Sequence, residues 1–261
     1  MIGVFDSGMG GLTAVKEILD IMPDIGIRYF GDTGRVPYGP RSRETIIRYA
    51  LQDARFLASK EVDVILVACG TVSSTAMDDL RAELDIPVIG VVEPTAEAAV
   101  RATKNKKIGI IGTAATVSSG SYVKLIASLD PEIETYSVAC PLFVPLVEGG
   151  FTADGCQITE LAAEHYLAPL REKGIDTLIL GCTHYPILSS AITKALPGVT
   201  LINSGAEAAR ALAGLIPEKK ENGADARYYV SDAPDGFAAA ASLFLGKSVE
   251  GRVEKIDIEN Y

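Results

Sequence analysis

Two segments of the sequence repeat one pattern, in which an apolar run ends at a cysteine. Residues 63–69 read DVILVAC and residues 176–182 read DTLILGC, so each cysteine follows its aspartate at the same distance. Two further pairs of segments keep the same order along the chain, 2–5 with 108–111 and 96–102 with 206–212. A fixed order of matches predicts two copies of one structural unit, with changes in the loops between them.

Longer amphipathic stretches separate the apolar runs. Residues 13–22 and 44–57 carry apolar side chains at helical spacing, and strands that alternate with helices predict parallel sheets covered by helices. We therefore predict an α/β fold of two pseudo-symmetric, doubly wound domains with mostly parallel sheets and an active site in the cleft between them. The first domain is predicted to comprise residues 1–94 plus 207–261, and the second residues 95–206, with the two crossing segments as a hinge.

Seven apolar runs are predicted to form strands, and an eighth short strand is predicted near the end of the chain. These runs are 2–5, 27–30, 62–68, 88–92, 108–111, 177–180, 199–202 and 227–231. Ser73 and Ser74 are predicted N-caps of a helix that runs through 77–84, because serine hydroxyls favour that position.

The composition is that of a soluble globular protein whose partners are not polyanions. Of the 261 residues, 48% are hydrophobic and 22% are charged, which is ordinary for such proteins. The 24 Lys and Arg face 34 Asp and Glu, for a net charge of −10, which disfavours nucleic acid and anionic membranes as partners. We expect a cytoplasmic protein, because no secretory leader or membrane-spanning run is recognisable and a chain of this size needs no disulfides.

Cys69 and Cys182 are the candidate acid/base groups, because each ends a strand at the edge where parallel sheets bind ligands. Amides at the start of a following helix attract a carboxylate and lower the pKa of a neighbouring thiol. Two thiols on opposite sides of one carbon could remove a proton from one face and return one to the other, as racemisation requires. Inert core cysteines, a redox pair and a zinc site with His184 remain alternatives, although no Cys-x-x-Cys or paired zinc-ligand spacing occurs. Cys140 and Cys156 are predicted to be inert core residues.

Asp6 and His184 are the candidate partners of those thiols. Asp6 begins the glycine-rich segment 6–11, which lacks the Gly-Lys-Ser/Thr ending of a phosphate loop. Asp6 either caps the following helix or acts on a thiol proton. His184 follows Cys182 closely and could polarise it, whereas His165 lies in a helical stretch and is interpreted as structural.

Five motifs in a fixed order carry a family resemblance over almost the whole chain. They are VFDSGMGG at 4–11, FGDT and VPYG within 30–39, VACGT at 67–71, FVPLVE at 143–148 and LGCTHYP at 180–186. The chain thereby resembles the glutamate racemases of the cofactor-independent aspartate/glutamate racemase superfamily. The resemblance implies interconversion of L- and D-glutamate without pyridoxal phosphate, metal or other cofactor, which supplies D-glutamate for peptidoglycan. It also implies a homodimer.

The resemblance implies a role for each matching residue. Cys182 would take the proton from L-glutamate and Cys69 the proton from D-glutamate. Asp6 would assist Cys69, while Glu148 and His184 would assist Cys182. The substrate-binding residues that it implies are Asp6, Ser7, Tyr38, Gly39, Gly70, Thr71, Thr183 and His184, with backbone amides near Tyr38 and Gly39 holding the side-chain carboxylate.

Position 70 departs from the family motif, which reads Ala-Cys-Asn-Thr where this chain has Gly70. We expect a roomy segment that lacks one amide contact to the substrate, so that Gly70→Asn would lower KM several-fold by restoring one hydrogen bond.

Other functions remain open. The chain could racemise aspartate or a hydantoin, or it could be a non-catalytic amino-acid-binding regulatory protein in which Gly70 marks the loss of activity.

Overall fold

The computed structural model describes residues 1–216 and 225–261. Within these ranges the strands are β1 Ile2–Asp6, β2 Ile27–Gly31, β3 Val64–Val67, β4 Val88–Gly90, β5 Lys107–Gly112, β6 Glu134–Ala139, β7 Thr177–Leu180, β8 Thr200–Asn203, β9 Ala226–Val230 and β10 Val253–Lys255. The helices are α1 Leu12–Ile21, α2 Arg43–Ala58, α3 Gly70–Ser73, α4 Met77–Glu83, α5 Val92–Ala102, α6 Ala114–Ser119, α7 Ser121–Leu129, α8 Phe143–Glu148, α9 Gln157–Lys173, α10 Ser189–Ala195, α11 Ser204–Leu215 and α12 Pro234–Leu245, with short 3-10 turns at Tyr185–Leu188 and Ile258–Asn260.

The strands form two parallel sheets with the same central order. One sheet runs β10-β9-β2-β1-β3-β4 and the other β6-β5-β7-β8, so the block β2-β1-β3-β4 has its counterpart in the second sheet. The registers agree as well. Ile2 pairs with Val64, and their counterparts Ile108 and Thr177 pair with each other. The predicted fold class, with two sets of parallel strands, is confirmed.

Helices cover both faces of the larger sheet. Every residue of β1 and β3 is buried, as expected of central parallel strands. Ile2 and Val4 belong to a core that includes side chains of α1 and α12, whereas Phe5 packs with Phe30 and Phe56 on the side of α2. This alternation follows from the two-residue period of a strand. Ser42 is the N-cap of helix α2, and its hydroxyl accepts a hydrogen bond from the Thr45 amide at 3.3 Å.

Two helices carry the chain between the sheets. Helix α5 follows β4 and leads into the smaller sheet, and α11 follows β8 and leads back. The two helices pack against each other. The predicted domain boundaries after residues 94 and 206 fall in the first turns of these helices, and the boundaries and the hinge stay predictions. Residues 217–224 of the predicted first domain lie outside the described residues.

Some predicted elements were wrong or missed. Ser73 and Ser74 do not cap the helix that follows, because α4 begins after Ala76. The Ser73 hydroxyl instead accepts from the Val92 amide at 3.2 Å, and the Ser74 hydroxyl donates to the Gly70 carbonyl at 2.7 Å. Strand β6 escaped prediction because none of its residues is fully buried. None of the helices described here is both long and apolar enough to cross a membrane.

Candidate active site

A cavity of about 450 Å³ lies where loops from both sheets meet. Its walls come from the segments that follow β1, β2 and β3 in one sheet and β5, β6 and β7 in the other. Every site residue named from the sequence lines it: Asp6, Ser7, Tyr38, Gly39, Cys69, Gly70, Thr71, Glu148, Cys182, Thr183 and His184. The structure therefore brings the candidates together, while the role of each residue stays a prediction.

Cys69 lies in a buried part of the cavity, close to the carboxyl group of Asp6. Its side chain follows β3, and its thiol donates to the Ser7 hydroxyl at 3.5 Å. Burial raises the pKa of Cys69 to about 12, and the nearby Asp6 adds to this, although amides of Val72 and Ser7 act in the opposite direction. Because the thiolate is disfavoured here, Cys69 carries its proton at neutral pH.

Asp6 holds the loop after β1. Its Oδ2 accepts from the Gly8 amide at 3.0 Å. The N-cap position of α1 is occupied by Gly11, whose backbone hydrogen bond also lowers the pKa of Asp6. Asp6 as a whole is 1% exposed. Burial raises the pKa of Asp6, an effect that the nearby His184 opposes.

Cys182 lies in a different setting, at one end of a chain of polar groups. Its sulfur is 3.9 Å from His184 Nδ1, and His184 Nε2 is 3.1 Å from Glu148 Oε1. Burial opposes a charge on His184, but the hydrogen bonds to Cys182 and Glu148 outweigh it and raise the pKa of His184 to about 10. A protonated imidazole at this place can balance a negative charge on the sulfur.

The loop that carries Cys182 is in close contact with two glycines of the other sheet's loops. A Cβ atom at Gly70 would lie 2.1 Å from the Gly181 carbonyl oxygen, and one at Gly10 would lie 2.3 Å from Thr183 Oγ1. The expected open space at Gly70 is therefore absent, because backbone from the second cysteine loop fills it. An asparagine cannot enter there unless the two loops separate, which reverses the expectation for Gly70→Asn.

Thr113 is a cavity residue that the sequence reasoning missed. Its hydroxyl lies 2.9 Å from Thr71 Oγ1, across the cleft between the two sheets. It also accepts from the Thr116 amide at 3.2 Å at the start of α6. The repeat could have revealed it, since Thr113 follows β5 at the position where Ser7 follows β1.

The two other cysteines differ from each other. Cys140 is fully buried, as predicted, and it also lines the cavity. Burial raises the pKa of Cys140 to about 12, which keeps that thiol protonated. The core prediction for Cys156 was wrong, because this residue is half-buried at the start of α9, where hydrogen bonds with Thr159 lower its pKa. His165 is exposed on α9, outside the cavity.

Two amides of the 36–40 segment are free to bind a ligand. The N–H groups of Tyr38 and Gly39 donate to no partner among the described residues, and both residues line the cavity. Unpaired backbone N–H groups are suitable donors to a carboxylate. In residues 1–216 and 225–261, no group of three or more His, Cys, Asp and Glu side chains is arranged to hold a metal ion.

The sequence profile of the Asp/Glu/Hydantoin racemase family matches residues 27–212. A glutamate racemase of Geobacter metallireducens is 44% identical over 265 aligned residues, which cover 99% of this chain and 97% of that relative. This chain belongs to the glutamate racemase family. Family membership makes it an isomerase and confirms the resemblance found in the motifs.

Solved structures of the family superpose closely. The glutamate racemase of Francisella tularensis, in complex with D-glutamate, has a TM-score of 0.91 and 39% identity, covering 100% of this chain and 98% of its own. The glutamate racemase isoform RacE1 of Bacillus anthracis has a TM-score of 0.93 and 37% identity, covering 98% and 97%. The two-domain fold of the family therefore extends over the whole chain.

Proposed function

We propose that the protein racemises glutamate by a two-base mechanism in which Cys182 and Cys69 act on opposite faces of the α-carbon. One observation carries the proposal. The two cysteines follow β3 and β7, which occupy the same place and register in their sheets, and both line one cavity. Relatives over the whole chain are glutamate racemases, which supports glutamate as the substrate.

The surroundings of the thiols support a direction for each proton. With L-glutamate bound, the Cys182 thiolate, balanced by protonated His184, takes the α-proton, and an S–H bond forms as the C–H bond breaks. The electron pair stays on the α-carbon. The protonated Cys69 then gives its proton to the opposite face, which yields D-glutamate and leaves a thiolate at Cys69. D-glutamate follows the same steps in reverse.

The remaining cavity residues would stabilise the charge that develops during the reaction. Hydroxyls of Ser7, Thr71 and Thr183 would hold the α-amino and α-carboxylate groups, and the free amides of Tyr38 and Gly39 would hold the side-chain carboxylate. Fixed donors in a site that excludes water are effective at this task. No cofactor enters these steps. We further propose that the product serves peptidoglycan synthesis; the cytoplasmic location and the homodimer stay predictions.

Circular dichroism of L-glutamate incubated with the purified protein tests the activity, with L-aspartate as the control substrate. We expect loss of the glutamate signal and an unchanged aspartate signal.

In D₂O, deuterium should appear at the α-carbon of the product from either enantiomer. Cys69→Ala and Cys182→Ala should each abolish turnover in both directions while remaining folded. Substantial racemisation by either variant would refute the two-thiol mechanism.

A further inference from the structure

A buried cluster of charged and polar side chains lies behind the 36–40 wall of the cavity. We call Arg35, Asp32, Asp53 and Tyr38 the Arg35 cluster. Arg35 donates to Asp32 at 2.6 Å and to Asp53 at 2.9 Å, and both aspartates are fully buried. The Tyr38 hydroxyl donates to Asp32 and lies 3.0 Å from Asp53 Oδ2. Tyr38 belongs to the cluster through its hydroxyl and to the cavity wall through the rest of the residue.

The C-terminal segment ties the Arg35 cluster to the end of β9. The Ser231 hydroxyl donates to Asp32 at 2.7 Å and accepts from the Gly34 amide at 2.7 Å. Glu259 accepts from Arg35 at 3.2 Å. Neither Ser231 nor Glu259 lines the cavity. Any effect that they have on a bound substrate must therefore pass through the 36–40 segment.

The charge of the cluster suits an anionic ligand in front of it. Two ionised aspartates with one arginine would leave a net negative charge behind the wall, which would repel a carboxylate. Burial raises the pKa of Asp53 well above its usual range, and the neighbouring Asp32 adds to this. This shift favours the protonated form of Asp53, although Arg35 opposes it, and it reduces the negative charge behind the wall.

A rigid wall matters here because the two free amides of Tyr38 and Gly39 belong to a segment with no helix or strand of its own. Groups that bind a ligand must be held close to their productive positions. We propose that the Arg35 cluster positions these amides for the side-chain carboxylate of the substrate, and that Ser231 extends this positioning role into the C-terminal segment. The proposal rests on the glutamate racemase activity proposed above.

Steady-state kinetics of Tyr38→Phe test the proposal, because this change removes the hydroxyl and keeps the ring. Tyr49→Phe is the matched control: its ring lies 5.3 Å from the Tyr38 ring, but its hydroxyl takes no part in the cluster. We expect Tyr38→Phe to raise KM for both enantiomers about fivefold, the effect of one lost hydrogen bond. The kcat should change less than about twofold, since neither thiol is touched, and Tyr49→Phe should match wild type.

Ser231→Ala provides an independent test that does not alter the cavity wall. We expect it to raise KM in the same direction with kcat preserved, and it decides the question alone if Tyr38→Phe does not fold. An unchanged KM in folded Tyr38→Phe, or a fall in kcat at constant KM, would overturn the proposal. Wild-type protein that fails to racemise glutamate would instead overturn the proposed function, and the positioning role with it.

Discussion

Replacing Gly70 with alanine should impair catalysis without unfolding the protein. The added Cβ would lie 2.1 Å from the Gly181 carbonyl oxygen, whereas real Cβ atoms essentially never approach other atoms within 3.0 Å. The loops that carry Cys69 and Cys182 would therefore have to move apart by about 1 Å. A misplacement of about 1 Å in a catalytic site can cost about 100-fold in rate. We accordingly expect kcat/KM to fall about 100-fold for both enantiomers, and Gly70→Asn to be at least as harmful.

Stability should change little, because Gly70 begins the helical segment α3 and has no positive φ angle. Gly214→Ala in α11 is the matched control, since a Cβ atom added there would meet nothing within 4 Å. The assay is circular dichroism with L- and D-glutamate, with thermal unfolding measured in parallel. Wild-type kcat/KM in Gly70→Ala, or a lower KM in Gly70→Asn, would refute this reasoning about the contact.

Two further predictions concern His184 and the absence of a cofactor. The pKa of His184 is about 10 in the folded protein, above its usual value of 6.5; its protonation therefore contributes stability that is fully present below about pH 6.5 and is lost as the pH rises through about 10. Urea unfolding at pH 7 and at pH 10 should show a larger loss of unfolding free energy in wild type than in His184→Asn, and equal losses would contradict the assigned charge. Racemisation should persist after exhaustive chelation and without pyridoxal phosphate, provided that reductant keeps the thiols free; activity that is lost on chelation and restored by a metal would count against the mechanism.

The sequence was sufficient to predict the fold because local patterns and the repeat agree. The run 177–180 coincides with β7, and the matched segments 63–69 and 176–182 do occupy equivalent strands. Each cysteine could be placed at the ligand-binding edge of its own sheet, because ligands bind beyond the carboxyl ends of parallel strands. The repeat then predicted that the two edges face one cleft. Strand β6 could not be predicted, since an edge strand without buried residues lacks the apolar pattern of the central strands.

The contacts that were missed join residues far apart in the chain. The space around Gly70 is determined by Gly181, which belongs to the other sheet's loop. The Arg35 cluster likewise depends on Ser231, and no local pattern links that serine to Asp32. Thr113 is the exception, because it could have been predicted from the repeat. The sequence offset between the two copies places Thr113 at the position equivalent to Ser7.

Thermodynamics limits how far the different surroundings of the two thiols can favour one direction of the reaction. L- and D-glutamate have equal free energies in water, so the equilibrium constant of racemisation is one. The ratio of kcat/KM for the two directions must then also be one, whatever groups face each enantiomer. The His184–Glu148 pair beside Cys182 and the Asp6 carboxyl beside Cys69 can therefore change kcat in one direction alone only if KM in that direction changes by the same factor. They cannot make the enzyme more efficient in that direction alone, and a substitution beside either thiol must change both efficiencies by the same factor.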